Sequence, residues 1–226
     1  MINLEKNNIN LLIDFDSTFI QLESLEEISK ISLRTLSNSN TIIENISSLT
    51  NQAMSGDISF AHALESRIKL LKANQNHITQ ATDLIKNNIS KSFVSNANFI
   101  KKYSSRFYII SGGFKEIIYP IVKSFGIKEN QIYANEFVYN KEDVISINKK
   151  NALSKDMGKV QIANQIEGIN IMIGDGYTDF EVKKEGAAEY FIQYTETINR
   201  EKLNSGADCI ANNFNQVIDY LCTKFN

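Results

Sequence analysis

Two carboxylates follow a short apolar segment near the start of the chain. Residues 10–14 (NLLID) predict a buried strand, and the strand runs into DFDST, which contains Asp14 and Asp16. Ligands of parallel sheets bind beyond the carboxyl ends of the strands. One carboxylate placed there could attack phosphorus, and the other could protonate the leaving oxygen and later activate water. Carboxylates this close repel each other, so a cation is needed to keep both ionised.

A second apolar segment, residues 107–110 (FYII), leads into Ser111, Gly112 and a helical pattern. A hydroxyl and bare backbone amides at the start of a helix form an anion site. The alternative is an ordinary turn between strand and helix, for which glycine is the default residue. The motif is therefore weak when it is taken alone.

A third apolar segment, residues 169–173 (INIMI), ends in GDGYTD. Mg²⁺ prefers a few carboxylates, several waters and a phosphate oxygen, which makes Asp175 the natural direct ligand. Asp179 could orient a metal-bound water or a lysine. A lysine before this strand could reach the negative charge of a transferring phosphoryl group, but spacing alone does not decide between Lys155 and Lys159.

The three segments belong to a regular alternation of strands and helices. Weaker strands are predicted at residues 190–193 and 209–211, and helical patterns at residues 114–125, 156–166 and 178–184. This alternation predicts an α/β fold with a parallel sheet and helices on both of its faces.

Two stretches depart from the alternation. Residues 22–91 contain no convincing strand, and their apolar residues recur at helical spacing, which predicts a small helical subdomain inserted after the first strand. Residues 132–147 predict a strand, a turn near residues 140–143 and a second strand.

Composition narrows the function classes. The chain has 226 residues, 42% of them hydrophobic, and a formal net charge of -2. This charge gives no basic field for a nucleic-acid backbone, and no apolar run is long enough to span a bilayer. The N-terminal residues lack the apolar stretch of a signal peptide. We therefore expect a cytosolic protein with no nucleic-acid or membrane partner.

The four motifs DFDST, ISGG, Lys159 and GDGYTD together resemble those of the haloacid dehalogenase superfamily of phosphatases. The resemblance favours Lys159 over Lys155. It implies a Rossmann-like α/β core, residues 1–18 and 92–226, and a helical cap over the site, residues 19–91.

Within that superfamily, the chain resembles the phosphoserine phosphatase family. DFDSTFIQLE continues the first motif, and AMSGDISF followed by an arginine matches a stretch of the family's insertion. The resemblance implies that Glu23 binds a substrate amino group and that Arg67 binds a substrate carboxylate. Met54 and Phe60 would line the pocket. Tyr177 is larger than the small residue implied there, and it would narrow or reshape the pocket.

The resemblance also implies a mechanism for hydrolysis of O-phospho-L-serine. Asp14 would be the nucleophile and Asp16 the general acid and base, with Thr18 orienting Asp16. Mg²⁺ would bind Asp14, Asp175 and the backbone carbonyl of Asp16. Ser111, Gly112 and Lys159 would receive the phosphate oxygens, and Thr178 would be a further substrate-binding residue.

Two alternatives remain open. The chain could be a phosphatase or a phosphotransferase acting on another small phosphorylated metabolite, because Glu23 and Arg67 do not decide the substrate alone. It could also be a non-catalytic binding protein, but the intact acids Asp14, Asp16 and Asp175 argue against this.

Overall fold

A six-stranded parallel sheet forms the centre of the molecule, in a computed structural model that describes residues 2–225. Along the chain the strands are β1 (Ile9–Ile13), β2 (Phe107–Phe114), β3 (Ile132–Asn135), β4 (Phe137–Asn140), β5 (Asp143–Ile147), β6 (Ile169–Gly174), β7 (Tyr190–Tyr194) and β8 (Cys209–Ala211). The sheet order is β3-β2-β1-β6-β7-β8, while β4 and β5 form a separate antiparallel hairpin.

Ten α-helices accompany the strands in the described residues. Six lie between β1 and β2, and the first four of these are α1 (Ser24–Ser32), α2 (Ser39–Met54), α3 (Phe60–Leu70) and α4 (Gln75–Ile85). The others are α5 (Lys91–Ser95), α6 (Ala97–Lys102), α7 (Lys115–Val122), α8 (Gly158–Ala163), α9 (Tyr177–Lys184) and α10 (Phe214–Phe225). The predicted α/β class is confirmed. None of the helices in residues 2–225 has the length and hydropathy needed to cross a membrane.

Burial of both faces explains why the sheet strands are mostly apolar, with Asn10, Asn170 and Gln193 as buried polar exceptions. All five residues of β1 are buried, since the strand lies between β2 and β6. Leu11 and Ile13 face one apolar cluster, and Leu12 faces the other, together with Ile110 and Met172. Strands covered on both faces read as continuous apolar runs rather than as an alternation.

The register of β1 sets the position of the site. Ile13 pairs with Ile109 on β2 and with Ile173 on β6. The residues that follow these strands therefore meet at one edge of the sheet, as the sequence predicts.

Residues 132–147 differ from their prediction. The first part forms β3, which joins the main sheet beside β2, and the hairpin consists of β4 and β5 with the predicted turn at residues 140–143. The Phe137 ring stacks on Phe114 with centroids 3.7 Å apart. A short apolar strand does not reveal its pairing partner, which explains the error.

The four helices α1–α4 form the helical insertion that the sequence predicts. Its two ends pair where they leave the sheet, through an antiparallel bridge between Ile20 and Ile89. At its other side the hairpin holds it, because Gln75 N–H donates to Glu142 O at 2.9 Å and Val144 N–H to Ala73 O at 2.9 Å. Met1 and Asn226, the end residues of the predicted core domain, lie outside the described residues.

Candidate active site

Three buried acids meet at the carboxyl edge of the sheet. Asp14 follows β1, whereas Asp175 and Asp179 follow β6, and each offers a carboxylate oxygen within 4.8 Å of the others. Oxygen donors of this kind suit a hard divalent cation. The site residues predicted after different strands are thus brought together.

Asp14 ends β1 in an extended conformation and is 4% exposed. Its Oδ1 accepts hydrogen bonds from the Phe15 amide at 2.7 Å and from the Lys159 ammonium at 2.9 Å. Its Oδ2 accepts none from residues 2–225. One oxygen is therefore fixed while the other is available to react.

Asp16 is held on the opposite side by the start of α1. Ser24 donates to its carboxylate from both the backbone N–H and the hydroxyl, at 3.0 and 3.0 Å. The chain reverses directly after Asp16, at Ser17, whose φ is 54°. Burial, together with the charge of Asp14, raises the pKa of Asp16 to about 7. A carboxyl group with that pKa can give and take a proton near neutral pH.

Thr18 does not orient Asp16, contrary to the expectation from the sequence. Its hydroxyl lies 3.5 Å from Asp175 Oδ1, and the orienting bonds to Asp16 come from Ser24 instead. The reversal at Ser17 explains this difference, because it sends Asp16 and Thr18 to different neighbours.

Lys159 lies between two acids and is 5% exposed. Its Nζ is 2.9 Å from Asp14 Oδ1 and 2.7 Å from Asp179 Oδ1. Burial disfavours its charge, but the two carboxylates outweigh this and raise the pKa of Lys159. Asp179 also accepts from the Gly176 amide at 3.0 Å, so it serves as the anchor of the lysine. Lys155 is exposed and contacts neither acid.

Polar groups for an anion lie beside these charges. Ser111 is buried, and its Oγ accepts from the Gly113 amide at 3.0 Å. Gly113 lies against Asp16, since a Cβ there would be 3.1 Å from Asp16 Oδ2. The Thr178 hydroxyl is buried and has no hydrogen-bond partner in residues 2–225. An unpaired buried hydroxyl is costly and indicates a missing partner.

The helical insertion brings two charged groups into the same chamber. Glu23 is half-buried and accepts from the Ser17 hydroxyl at 2.7 Å; burial, then the charge of Asp16, raises the pKa of Glu23 to about 8. Arg67 is 4% exposed and donates from Nη1 to Thr50 Oγ1 at 3.0 Å. No carboxylate of residues 2–225 lies within 4.0 Å of its guanidinium. Arg67 is thus a buried cation without an ion-pair partner.

The charges of the site do not balance. The site contains five acids and three cations. The acids are Asp14, Asp16, Glu23, Asp175 and Asp179, and the cations are Arg67, Lys159 and Arg200, which contacts Asp175. Burial raises the pKa of Asp175 to about 7 and that of Asp179 to about 8, because their negative charge is not fully compensated. A bound divalent cation would supply the missing positive charge, so the donor set fits such an ion.

The chamber between these groups is small. Its lining includes Asp14, Glu23, Arg67, Met54 and Phe60, and its free volume is about 20 Å³. That is room for roughly one water molecule. A larger cavity of about 280 Å³ adjoins it; we call it the vestibule. Phe60, Gly112 and Lys159 line both spaces, so these three residues form the wall between them.

Comparison with known proteins agrees with this geometry. A chloroplastic phosphoserine phosphatase of Arabidopsis thaliana is 29% identical over 178 residues, which span 76% of this chain and 60% of the relative. The chain thus matches less than two thirds of that protein's length. A phosphoserine phosphatase of Methanocaldococcus jannaschii is 27% identical, with 80% of this chain and 84% of the relative covered. A solved phosphoserine phosphohydrolase-like protein from Francisella tularensis is 29% identical, with a TM-score of 0.83 over 93% of this chain and 98% of that one.

The predicted resemblance is confirmed: the chain is similar to phosphoserine phosphatases and has the haloacid dehalogenase fold. No protein-family model matches the chain.

One residue of the site carries no signal in the sequence. Arg200 follows β7 and donates from Nε to Asp175 Oδ2 at 2.9 Å, with its side chain 9% exposed. It also approaches Asn51 on α2, at 3.4 Å. Arg200 belongs to none of the motifs and lies 25 residues from Asp175. Only the fold brings the two together.

Tyr177 packs against the helical insertion rather than into the chamber. A Cβ at Gly56 would lie 2.9 Å from Tyr177 Cγ, so the ring rests on the bare Cα of that glycine. Tyr177 therefore narrows the vestibule, which it lines, and not the chamber. Met54 and Phe60 line the chamber instead.

Proposed function

We propose that the chain hydrolyses a small phosphomonoester, and that O-phospho-L-serine is its substrate. One observation supports this above the others. The chamber that holds Asp14, with one free carboxylate oxygen, also holds a buried arginine without an ion-pair partner. Arginine suits a substrate carboxylate because its planar fork can bind both oxygens. Glu23 in the same chamber would take the ammonium group of phosphoserine, and that contact would favour its ionised form.

The chemistry proceeds in two steps on the protein's own residues. Asp14 Oδ2 attacks phosphorus while the bond to the serine oxygen breaks, and Asp16 donates its proton to that oxygen. Water then attacks phosphorus of the aspartyl phosphate, Asp16 takes the water's proton, and the bond to Asp14 breaks. The pKa of Asp16, raised to about 7 by burial, suits both of its roles.

The remaining groups stabilise phosphate charge in the transition state. Lys159 lies beside the reacting carboxylate, where its ammonium can receive a phosphate oxygen. The unpaired Thr178 hydroxyl, Ser111 and the Gly112 backbone can receive the others. Mg²⁺ would bind Asp14, Asp175 and the backbone carbonyl of Asp16, and when bound it would neutralise phosphate charge and lower the repulsion between the acids.

The proposal includes a division of the chain into a core, residues 1–18 and 92–226, and a cap, residues 19–91. The small chamber supports a moving cap, because a volume of about 20 Å³ does not admit phosphoserine. The helical insertion is called the cap from here on. Closure would bring Glu23 and Arg67 to the substrate and exclude water from the reaction.

Phosphate release from L-phosphoserine with Mg²⁺, with and without a chelator, tests this function. A panel of esters lacking the amine or the carboxylate should be run beside it. We expect chelator-sensitive turnover with a clear preference for phosphoserine, and no turnover by the Asp14→Asn variant. Turnover of other esters alone would support a phosphatase or phosphotransferase for another metabolite. Absence of turnover on every ester would favour a binding protein.

A further inference from the structure

A core residue contacts the start of a cap helix. Asp156 lies in the loop before α8, and its Oδ1 accepts from the Ala61 backbone N–H of α3 at 3.0 Å. Its two carboxylate oxygens also face the Ser59 hydroxyl, at 3.0 and 2.7 Å. Ser59 is itself the N-cap of α3 and accepts from the His62 amide at 3.2 Å. The first turn of α3 is therefore capped twice, once from the cap and once from the core.

Two properties of a helix start make the contact between Asp156 and α3 favourable. The first amides of a helix have no partner within the helix, and a carboxylate is well placed at its positive end. An exposed pair of this kind is weakened by water and salt, so its effect is moderate. Caps and terminal charges of this type change an equilibrium by about three- to tenfold.

The contact lies next to the wall of the chamber. Phe60 directly follows Ser59, and its ring packs on Gly112, where a Cβ would be 2.4 Å from Phe60 Cζ. Release of the start of α3 would allow this ring to leave Gly112 and join the chamber to the vestibule. Asp156 thus contacts the part of the cap that lines the chamber.

The opposite side of the cap is fastened differently. It pairs with the hairpin through backbone hydrogen bonds of Gln75 and Val144, and its own two ends pair with each other at the bridge between Ile20 and Ile89. Backbone pairs can persist while side-chain contacts open. The turn at residues 55–59 between α2 and α3 is therefore the side that can swing.

We propose that Asp156 is a positioning residue that holds the cap closed by capping α3 from the core. Its kinetic consequence rests on the proposed phosphatase function, whereas its effect on the cap does not. Substrate enters and product leaves when this contact opens.

Three variants test the proposal. Asp156→Ala removes both interactions, and Asp156→Asn keeps an acceptor for the Ala61 amide while losing the charge. Lys202→Ala is the matched control, because it removes an exposed ion pair between core and cap, Lys202 to Asp57 at 3.3 Å. Such exposed pairs contribute little.

The first readout is amide hydrogen exchange across residues 55–62 of the full chain. We expect Asp156→Ala to speed exchange there by about three- to tenfold, with Asp156→Asn in between and Lys202→Ala unchanged. The second readout is steady-state kinetics, where KM for the phosphate ester should rise by a similar factor while kcat does not fall. Partial recovery by the asparagine variant separates this role from general destabilisation.

Equal exchange in Asp156→Ala and Lys202→Ala would overturn the proposal. Faster exchange with an unchanged KM would also overturn it, because the contact would then not control closure. If the parent protein turns over no ester, the proposed function fails, and exchange alone decides whether Asp156 holds the cap.

Discussion

Replacing Arg67 should lower the activity of the protein, while the protein without substrate should stay at least as stable. Its guanidinium is 4% exposed and lacks an ion-pair partner in residues 2–225, so the free protein bears the cost of a buried charge. A substrate carboxylate would compensate that cost. Charge-assisted hydrogen bonds contribute about 1.5–3 kcal/mol each, and because two of them on one carboxylate are not fully additive, the pair would contribute about 3–4 kcal/mol. Arg67→Met keeps the apolar stem and removes the charge.

We expect kcat/KM for L-phosphoserine to fall by about 100- to 1000-fold in Arg67→Met, as this free energy implies. Phosphoethanolamine lacks the carboxylate, so its kcat/KM should change by less than about fivefold. Arg67→Lys keeps the charge without the planar fork and should lie between these limits. The melting temperature of Arg67→Met without substrate should equal or exceed that of the parent, since removing an unpaired buried charge is favourable.

The assay is phosphate release with both esters for the parent and both variants, with thermal unfolding of the same samples. An equal loss on the two esters, with a lowered melting temperature, would refute the reasoning. Arg67 would then support the fold through Thr50 and would not bind a carboxylate.

Two further predictions concern the acids. The pKa of Asp175, about 7, and that of Asp179, about 8, exceed the ordinary 3.8, so the folded protein binds protons that the unfolded chain has lost. Without a cation, the stability of the fold should therefore fall as pH rises from about 4 to about 8. The increase in melting temperature on adding Mg²⁺ should accordingly be larger at pH 8.5 than at pH 5.5. An equal increase at the two pH values would contradict this. Gly174→Ala places a Cβ 2.2 Å from Asp179 Cγ and should displace Asp179 from Lys159. We expect about 1–3 kcal/mol lower unfolding free energy and at least about tenfold lower kcat, whereas Gly186→Ala, with φ of 76° and nothing within 4 Å, should lose stability alone.

Much of the core and of the catalytic edge could be predicted from the sequence because two local signals agree. Buried parallel strands are mostly apolar, and polar site residues lie at or near their carboxyl ends, as at Asp14, Ser111 and Asp175. Parallel strands bring such ends to one edge, so spatial proximity follows from topology alone. The helical spacing of apolar residues in the insertion is also a local signal, and the structure has four helices there, α1–α4.

The remaining features depend on contacts between distant segments. Arg200 meets Asp175 across 25 residues, and Asp156 meets Ala61 across 95, so neither belongs to a motif. Thr18 is not the partner of Asp16 that the sequence predicts, because the chain reverses at Ser17 with φ of 54°, and a serine in the sequence does not indicate such a reversal. The sequence predicts β3 as part of the hairpin, because a four-residue segment does not specify the strand with which it pairs.

The unbalanced charges of the site explain why ligand binding and closure should be linked. The acids around Asp14 and Asp175 outnumber the cations that contact them, Lys159 and Arg200. Arg67, on the cap side, has no ion-pair partner in residues 2–225. A divalent cation and a substrate carrying both an ammonium and a carboxylate would satisfy all of these groups at once. The closed cap excludes the water that would otherwise solvate them, which makes an empty closed chamber costly and a filled one stable. An exposed contact such as that of Asp156 can then determine whether the cap is open or closed. It acts against only the difference between these opposing free energies, and not against the full size of either.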